Sequence, residues 1–342
     1  MVKTIEDGET AKANSELKHY RNSSSPIVTV LLISLISFFG AEILTGSTSV
    51  EGVVAYPVSF IMSLTFYGFQ VSIIADISSR YSLKTGTIFI LGLVYGIFEE
   101  GFAIFTMEST KTHTLWLSFG GMNITWTIYV MVLHAVVTVS ITLLIMRVIW
   151  PNRISKPFLN RWSYAAMVPV TAVIYVFLMK GAISSGRIPQ VTSVIYLIIL
   201  AVILFLLAHR SMKNDDKKKV PYPTRSRNLL LPSLLWGIFL GIPFLVGNRF
   251  PLILIPLTVI LGAISFYLYR YFYKLDIIEP ERKLRTIWAT YSAFLAIILI
   301  LGVFNRTLLS EIFAFLGVVI LVYVGWDRVK STQKIFYVSP QQ

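Results

Sequence analysis

Long apolar runs separated by short polar segments dominate this chain. A helix needs about 20 apolar residues to cross a hydrocarbon core about 30 Å thick. Lipid offers the backbone no hydrogen-bond partners, so each such run is predicted to be an α-helix. The pattern predicts an all-α, polytopic integral membrane bundle of about ten transmembrane helices. The runs are 27–45, 53–75, 86–107, 124–149, 164–182, 190–208, 229–247, 250–273, 284–304 and 307–326.

Polar and small residues recur with helical spacing in the first four runs. The later runs are dominated by Leu, Ile, Val and Phe. In the third run Gly92, Gly96 and Glu100 lie on one face of the predicted helix, four positions apart. Small and hydroxylated residues allow close helix contact in lipid and hydrogen bonds between helices. Packing alone therefore explains the Ser, Thr and Gly residues, but it explains buried carboxylates less well.

The charged residues indicate the orientation of the chain. Of 342 residues, 55% are hydrophobic and 14% are charged, and the net charge is +13. If the N-terminus is cytoplasmic, only five of the 30 Lys and Arg residues fall in outer segments: Lys111, Lys180, Arg187, Arg249 and Arg306. This asymmetry follows the positive-inside rule. Both termini are therefore predicted to be cytoplasmic, in a multi-pass plasma membrane protein.

The same charges predict contact with a lipid bilayer that carries anionic headgroups at the cytoplasmic face. No basic module with interleaved aromatic residues is present, so nucleic acid is not an expected partner. Membrane protein partners are compatible with the composition. The absence of cysteine excludes disulfides, thiolate catalysis and Cys-ligated metal sites.

Polar segments divide the chain into regions. The most hydrophilic interruption contains Lys217-Lys218-Lys219, Pro221 and Pro223, which favour a solvated linker. The polar start contains no signal-peptide pattern, so the first helix is expected to be a signal-anchor. The predicted regions are a cytoplasmic tail 1–26, helices one to four in 27–161, helices five and six in 162–208, a basic linker 209–228, helices seven to ten in 229–326 and a tail 327–342.

Three ionisable residues lie inside apolar runs, namely Glu99, Glu100 and His134. Such a residue costs roughly 2.5 to 3.5 kcal/mol on insertion scales and usually faces a bundle interior or a water-filled cavity. Helix three runs outward and helix four inward, so the three side chains are expected at similar depth. His134 lies about ten residues, or ~15 Å, below the outer end of its helix. Glu42, near the outer end of helix one, is expected to face the same cavity.

The chemistry of these residues leaves several interpretations open. Two adjacent carboxylates in a poorly solvated site repel each other, so the pair is expected to hold a proton that a nearby imidazole can share. This arrangement suits general acid–base catalysis, a divalent metal site formed by Glu99, Glu100 and His134, or proton relay in transport. A buried, protonated Glu that only packs is the structural alternative. A histidine of this kind is also often a core residue.

Two outer Asn-x-Thr sequences match the glycosylation pattern. They begin at Asn123 and Asn305. Chance occurrence explains both equally well, and both lie close to the predicted membrane. Whether either is modified is left open by the sequence.

Three short motifs resemble those of a largely archaeal family of multi-spanning membrane proteins. The motifs are Gly40-Ala41-Glu42-Ile43-Leu44-Thr45-Gly46-Ser47, Tyr95-Gly96-Ile97-Phe98-Glu99-Glu100-Gly101 and His134-Ala135-Val136. The resemblance covers helices one to four. The family is uncharacterised, so it implies a membrane fold but no activity.

The Glu-Glu pair followed by a helix histidine is also similar to the CPBP and PrsW intramembrane proteases. That resemblance implies water activation by Glu99, Glu100 and His134, with a metal. The chain departs from the pattern at Ala103 and Ile104, where Arg or Lys is expected, and at Thr138, where Asn or Asp is expected. No second intramembrane histidine is present.

Three functions remain open at this point. The first is a glutamate-dependent intramembrane hydrolase acting on membrane peptides or lipids. The second is a proton-coupled transporter that uses the same cavity, and the third is a non-catalytic scaffold or assembly subunit. A cavity that opens toward one leaflet would favour the hydrolase, and a path that opens to both sides would favour the transporter. A closed core would favour the scaffold.

Overall fold

The computed structural model describes residues 25–83, 85–108, 118–154, 156–213 and 307–337, with nine isolated positions between 256 and 299. These residues are mostly helical. The α-helices are α1 Pro26–Phe38, α2 Val50–Ala55, α3 Pro57–Arg80, α4 Thr85–Gly96, α5 Ile124–Leu133, α6 Thr142–Ile149, α7 Pro151–Ile154, α8 Arg161–Ser184, α9 Val191–Lys213 and α10 Leu308–Tyr337. Three π-helical segments continue them: π1 Phe39–Leu44 after α1, π2 Ile97–Ala103 after α4, and π3 His134–Ile141 between α5 and α6.

Seven helices in the described residues are long and apolar enough to cross a membrane. They correspond to seven of the ten predicted runs. The other three, 229–247, 250–273 and 284–304, lie outside the described residues apart from isolated positions, so the count of ten stays a prediction. The seven are Pro26–Leu44, Pro57–Arg80, Gly86–Ala103, Ile124–Ile149, Arg161–Ser184, Val191–Ser211 and Leu308–Lys330.

Among the helix boundaries that differ from the sequence prediction, two have a simple physical cause. The second span begins at Pro57 rather than near residue 53, because proline is suited to the first position of a helix and Tyr56 before it is not helical. The third span ends at Ala103 rather than at 107. Phe105 there has a φ of +54°, which no helix can accommodate.

The fourth span lies at the centre of the described bundle. In the most apolar 18-residue stretch of Ile124–Ile149, 89% is buried inside the protein. The corresponding share is 22% in each of Arg161–Ser184, Val191–Ser211 and Leu308–Lys330. The first and third spans pack directly against this central span. The polar stripes therefore lie where helices meet, as the sequence predicts.

A short hairpin closes one end of the bundle, called here the hairpin end. Strands β1 Ser118–Phe119 and β2 Met122–Asn123 pair antiparallel, with Ser118 opposite Asn123. The preceding segment 104–108, called here the strap, folds back over the end of π2. The Asn123 N–H donates to the Met107 carbonyl at 2.8 Å, which ties the strap to the hairpin.

Residues far apart in sequence also meet at the N-terminus of α10. The carboxylate of Glu51 on α2 accepts hydrogen bonds from Thr307 Oγ1 at 2.6 Å and from Ser310 Oγ at 3.0 Å. The N–H of Val50 donates to Ser310 Oγ at 3.0 Å. The two hydroxyls hold the pKa of Glu51 below its ordinary value. These contacts join the start of the bundle to its last described helix.

Asp76 fixes the opposite end of the bundle. Its Oδ1 accepts the N–H groups of Phe158 and Leu159 at 2.6 and 2.8 Å. Its Oδ2 accepts from Arg80 and from the Tyr164 hydroxyl, each at 2.8 Å. The sequence explains Asp76 and Arg80 as a simple pair four residues apart. Asp76 is in fact fully buried and ties the segment before α8 to α3.

Candidate functional site

The intramembrane acids and histidine singled out by the sequence all lie in π-helical segments. Glu42 is in π1, Glu99 and Glu100 are in π2, and His134 begins π3. In such a segment the backbone bonds from i to i+5, as the Ile104 N–H does to the Glu99 carbonyl at 3.2 Å. These segments are rare and frequently occur at functional sites. The three widened turns therefore mark one region near the hairpin end.

The imidazole of His134 lies between the two carboxylates. Its Nε2 atom is 3.1 Å from Oε1 of Glu100, and its Nδ1 atom is 3.2 Å from Oε2 of Glu99. Nδ1 is also 2.9 Å from the Thr138 hydroxyl. We call Glu99, Glu100 and His134 the acid–imidazole cluster. The sequence places these three side chains at similar depth, and the structure brings them together in one cluster.

Thr138 orients the histidine ring from one turn further along π3. A ring with its proton on Nδ1 donates to the Thr138 hydroxyl, and its Nε2 then accepts the proton of a protonated Glu100. A doubly protonated ring donates on both sides instead. Thr138 thus holds the ring in place at the position where the protease pattern has Asn or Asp.

Burial differs sharply across the cluster. The side chains of Glu99 and His134 are only 3% and 4% exposed, whereas that of Glu100 is 14% exposed. Oε2 of Glu99 is buried and makes no hydrogen bond within the described residues. Glu100 is therefore the most exposed member of the cluster.

Glu42 lies near the cluster, with two tyrosines between them. The Tyr67 hydroxyl donates to Oε1 of Glu42 at 2.5 Å, and Thr48 donates to Oε2 of the same carboxylate at 2.5 Å. Tyr67 is buried, and its ring centroid lies 6.5 Å from that of Tyr95, which packs edge-on against the His134 ring at 5.6 Å. Glu42 itself is partly exposed. The structure thus places Glu42 beside the aromatic residues that pack on the cluster.

The strap covers Glu100 from the hairpin end. The Thr106 hydroxyl donates to Oε2 of Glu100, and the Thr106 N–H donates to the Glu100 carbonyl at 2.8 Å. Phe105, next to it, is buried with a left-handed φ of +54°. Such a conformation is an outlier for a bulky residue, and backbone strain of this kind clusters at functional sites. The strap is therefore held in a strained conformation over the most exposed residue of the cluster.

Two glycines of the third span allow the histidine to approach. A Cβ atom on Gly92 would lie 2.6 Å from Ala135 Cα. One on Gly96 would lie 3.0 Å from Met131 Cα and 3.4 Å from His134 Cβ. Any larger residue at Gly92 would push the two helices apart. The glycine stripe seen in the sequence thus sets the distance across which the cluster forms.

The donor set of the cluster fits a divalent metal ion. One ligand atom from each of Glu99, Glu100 and His134 lies within 4.8 Å of the others. Carboxylate oxygens and an imidazole nitrogen suit Zn²⁺ and Mn²⁺. Oε2 of Glu99, which makes no hydrogen bond within the described residues and lies 3.2 Å from His134 Nδ1, is an atom that a bound cation would contact.

Other polar residues near this end of the bundle lie outside the cluster. Glu108 is buried in the strap and accepts a hydrogen bond from the Ser193 hydroxyl. Of the two asparagines in the glycosylation pattern, Asn123 is fully buried and caps α5, accepting the Trp126 N–H at 3.0 Å. A glycan on this side chain would have no room. Asn305 lies outside the described residues.

Sequence reasoning missed three contacts of the site. Thr106 and Thr48 lie in connecting segments, where no periodicity indicates which way a side chain points. Tyr67 belongs to the polar stripe of the second span, so its place on an inner face was visible. Its hydrogen bond to Glu42 was not visible, because that contact depends on how the first two spans pack together.

Comparison with known proteins gives a family but no activity. No curated protein and no solved structure matches the chain. The model of an uncharacterized membrane protein family matches residues 31–338, a range that includes Glu42, Glu99, Glu100 and His134. The comparison gives no support for the similarity to the CPBP and PrsW proteases. The chain belongs to this family of uncharacterized membrane proteins.

Proposed function

We propose that the chain is a glutamate-dependent intramembrane hydrolase that acts on membrane peptides or lipids. The observation that carries this proposal is the contact of one histidine with two carboxylates, only one of which is accessible. A hydrolase needs a base that reaches water and a partner that retains the proton. Glu100 and His134 supply these two groups side by side.

The burial of the three side chains assigns their roles. Glu100 accepts a proton from a water molecule at its exposed edge, and His134 shares that proton through Nε2, 3.1 Å from Oε1. Glu99, almost fully buried, stabilises the positive imidazolium that results. Thr106 and Thr138 position the acid and the ring respectively.

A divalent metal would be held by Glu99, Glu100 and His134. When bound, such an ion supplies Lewis-acid activation of water. The likeness of the Glu-Glu and His motifs to the CPBP and PrsW proteases points to the same role and remains part of this proposal. The residues also retain acid–base chemistry of their own, so the test below includes a metal-free arm.

The orientation that brings substrate to Glu100 is also a proposal. We place ten spans with both termini in the cytoplasm of a plasma membrane protein, and the basic loops against anionic headgroups. The chain has no cysteine, so single cysteines can be read without background. Ser47→Cys should react with an impermeant reagent added outside intact cells, and Asn214→Cys should not. If the reagent added outside labels position 214 and not position 47, the orientation is the opposite of the one proposed.

Hydrolysis is tested with purified protein in liposomes made from the lipids and membrane peptides of the host. Mass spectrometry of released products compares wild type with Glu100→Gln, each with a chelator and with added Zn²⁺ or Mn²⁺. The Gln variant keeps the shape of the side chain and loses its ability to take a proton. We expect products from wild type and a loss of roughly 10²-fold or more in the variant.

The matched control is Glu108→Gln. Glu108 is also a buried acid at the hairpin end, and it also accepts a hydroxyl hydrogen bond, but it lies outside the cluster. It should retain wild-type product release. Equal release by wild type and Glu100→Gln would contradict the proposal.

A second function, proton-coupled transport, is favoured by one observation. A line of ionisable side chains runs from Glu42 past Tyr67 and Tyr95 to the acid–imidazole cluster. Such chains mark proton relays in pumps and transporters. In liposomes that contain a pH dye, a transporter would acidify the lumen when a substrate gradient is imposed, and Glu100→Gln would not. If wild type neither releases products nor changes the pH of the lumen, the result would favour a non-catalytic scaffold.

A further inference from the structure

The strap, residues 104–108, covers Glu100 at the hairpin end. Each carboxylate oxygen of Glu100 has a partner: Oε1 lies 3.1 Å from His134 Nε2, and Oε2 accepts the Thr106 hydroxyl. The Thr106 N–H also donates to the Glu100 carbonyl at 2.8 Å. The carboxylate oxygen that the histidine does not contact is therefore occupied by the strap.

The strap is strained at the residue before Thr106. Phe105 has a φ of +54°, and the left-handed region is unfavourable for a bulky residue with a Cβ atom. Such a conformation persists only where the surrounding contacts hold it. Release of those contacts would allow Phe105 to return to a negative φ, and Thr106 would then leave Glu100.

One group of these contacts comes from residues 185–193, which run from the end of α8 into the first turn of α9 and are called here the α8–α9 turn. Arg187 Nη1 donates to the Ile104 carbonyl at 3.2 Å, at the start of the strap. At its other end, the Glu108 carboxylate accepts the Ser193 hydroxyl and, at 3.4 Å, the Gln190 N–H. The α8–α9 turn thus holds both ends of the strap.

The hairpin holds the strap through its backbone. The Asn123 N–H donates to the Met107 carbonyl at 2.8 Å, and Glu108 pairs antiparallel with Met122. Neither these contacts nor those of the α8–α9 turn involve a side chain of the acid–imidazole cluster. They can therefore break and re-form while the cluster stays intact.

We propose that the strap is a lid, which the α8–α9 turn holds closed in this structure and which opens to admit a substrate to Glu100. On opening, the hydrogen bonds to Glu108 break, Phe105 loses its left-handed conformation, and the Thr106 hydroxyl leaves Oε2 of Glu100. The lid rests on the proposed function for the identity of what enters. Its movement is measured without hydrolysis.

A cross-link between the strap and the hairpin tests the lid. The bond from Asn123 to Met107 makes Glu108 and Met122 a non-hydrogen-bonded antiparallel pair, whose Cα atoms lie about 4.5 Å apart. A disulfide spans roughly 4.4–6.8 Å between Cα atoms. The double variant Glu108→Cys and Met122→Cys should therefore form a disulfide on oxidation, in a chain with no other cysteine. Oxidation locks the strap, and reduction frees it.

Access to Glu100 is measured with dicyclohexylcarbodiimide, an apolar reagent that modifies carboxyl groups at membrane depth. Mass spectrometry of peptides gives the rate of Glu100 modification in purified protein, at one pH and with no substrate. Glu51 is the internal control, because it is exposed and contacts Thr307 rather than the strap. We expect the oxidised double variant to lose Glu100 modification and the reduced form to regain it, with Glu51 unchanged.

Ser193→Ala tests the α8–α9 turn without cysteines. It removes a donor to Glu108, so Glu100 should be modified roughly 2- to 10-fold faster than in wild type, the factor that one hydrogen bond contributes to an equilibrium. The matched control is Ser185→Ala in the same turn, whose hydroxyl donates to the Ala182 carbonyl at 2.7 Å. This control should react at the wild-type rate.

Glu108→Gln should also react at the wild-type rate, because its amide oxygen still accepts from Ser193. The lid is overturned if Glu100 reacts equally fast in the oxidised and reduced double variant, or if Ser193→Ala reacts no faster than wild type. If the disulfide does not form, Ser193→Ala alone decides. Absence of hydrolysis with these carbodiimide rates as expected would count against the proposed function and leave the lid standing.

Discussion

Gly92 on the third span lies directly against Ala135 on the fourth, one residue after the cluster histidine. A Cβ on Gly92 would come within 2.6 Å of Ala135 Cα, closer than real atoms approach. Ala135 is completely buried, so neither helix can yield locally. The position of the His134 ring relative to Glu99 and Glu100 therefore depends on a residue with no side chain.

Gly92→Ala should separate the two helices and destabilise the protein. Overpacking of a well-packed core costs about 1–3 kcal/mol. Thermal melts in detergent measure the loss. The matched control is Gly181→Ala, also within a helix, where a Cβ meets no described atom within 4 Å. This control should be neutral or more stable by up to about 1 kcal/mol. Equal melting temperatures for the two variants would refute the close contact.

Changes at Glu100 should separate shape from protonation. Glu100→Gln is nearly isosteric and keeps partners for Thr106 and His134, so we expect it to fold and melt close to wild type. Glu100→Ala removes both partners and should cost ~1–3 kcal/mol. Detergent melts of the two variants test this difference. A Gln variant as unstable as the Ala variant would indicate that the negative charge itself holds the fold.

Asp76→Ala should destabilise the end of the bundle opposite the hairpin. The change leaves the half-buried N–H group of Phe158 and the buried one of Leu159 without their acceptor. Each unsatisfied buried group costs about 1–3 kcal/mol. Tyr164→Phe removes only one donor to the same carboxylate and should cost about 1 kcal/mol. A lower melting temperature for Tyr164→Phe than for Asp76→Ala would contradict the role of Asp76 as the acceptor of these N–H groups.

The sequence was sufficient to predict the cluster because membranes constrain ionisable residues strongly. Glu99, Glu100 and His134 stood out in apolar runs, and opposed helix directions placed them at similar depth. The widened turns were not predictable. Adjacent residues on a regular helix point in different directions, yet Glu99 and Glu100 reach the two nitrogens of one ring from π2. The strap was missed because Thr106 and Phe105 obey no helical period.

Glu108 should make stability depend on pH. Burial is the largest influence and raises the pKa of Glu108 above its ordinary value of about 4.3, against hydrogen bonds from Ser193 and Gln190 that lower it. A raised folded-state pKa contributes stability at low pH, and this is lost as the pH rises through that pKa. As the pH rises from the ordinary pKa of a glutamate through the raised pKa of Glu108, wild type should therefore lose stability relative to Glu108→Gln. Melts across mildly acidic to neutral pH measure the difference, and parallel curves would contradict it.

Asn123 should cap a helix rather than carry a glycan. Asn123→Ala should cost about 1 kcal/mol, since the Trp126 N–H loses its acceptor. Asn123→Ser also removes the glycosylation pattern but keeps a capping oxygen, so it should cost less. In a glycosylating host, neither variant should change electrophoretic mobility at this site. A mobility shift on glycosidase treatment that depends on Asn123 would show that the side chain is accessible.

The contact of Glu51 with Thr307 has a consequence for biogenesis. The two residues are 256 positions apart, so Glu51 leaves the ribosome long before its hydroxyl partner is synthesised. Every cluster residue lies between positions 99 and 134 and can assemble during that interval. A nascent chain halted before residue 307 would thus contain the complete acid–imidazole cluster but lack the Glu51–Thr307 contact. Among the described helices, α10 is the last to be synthesised and inserted, and its insertion supplies that contact.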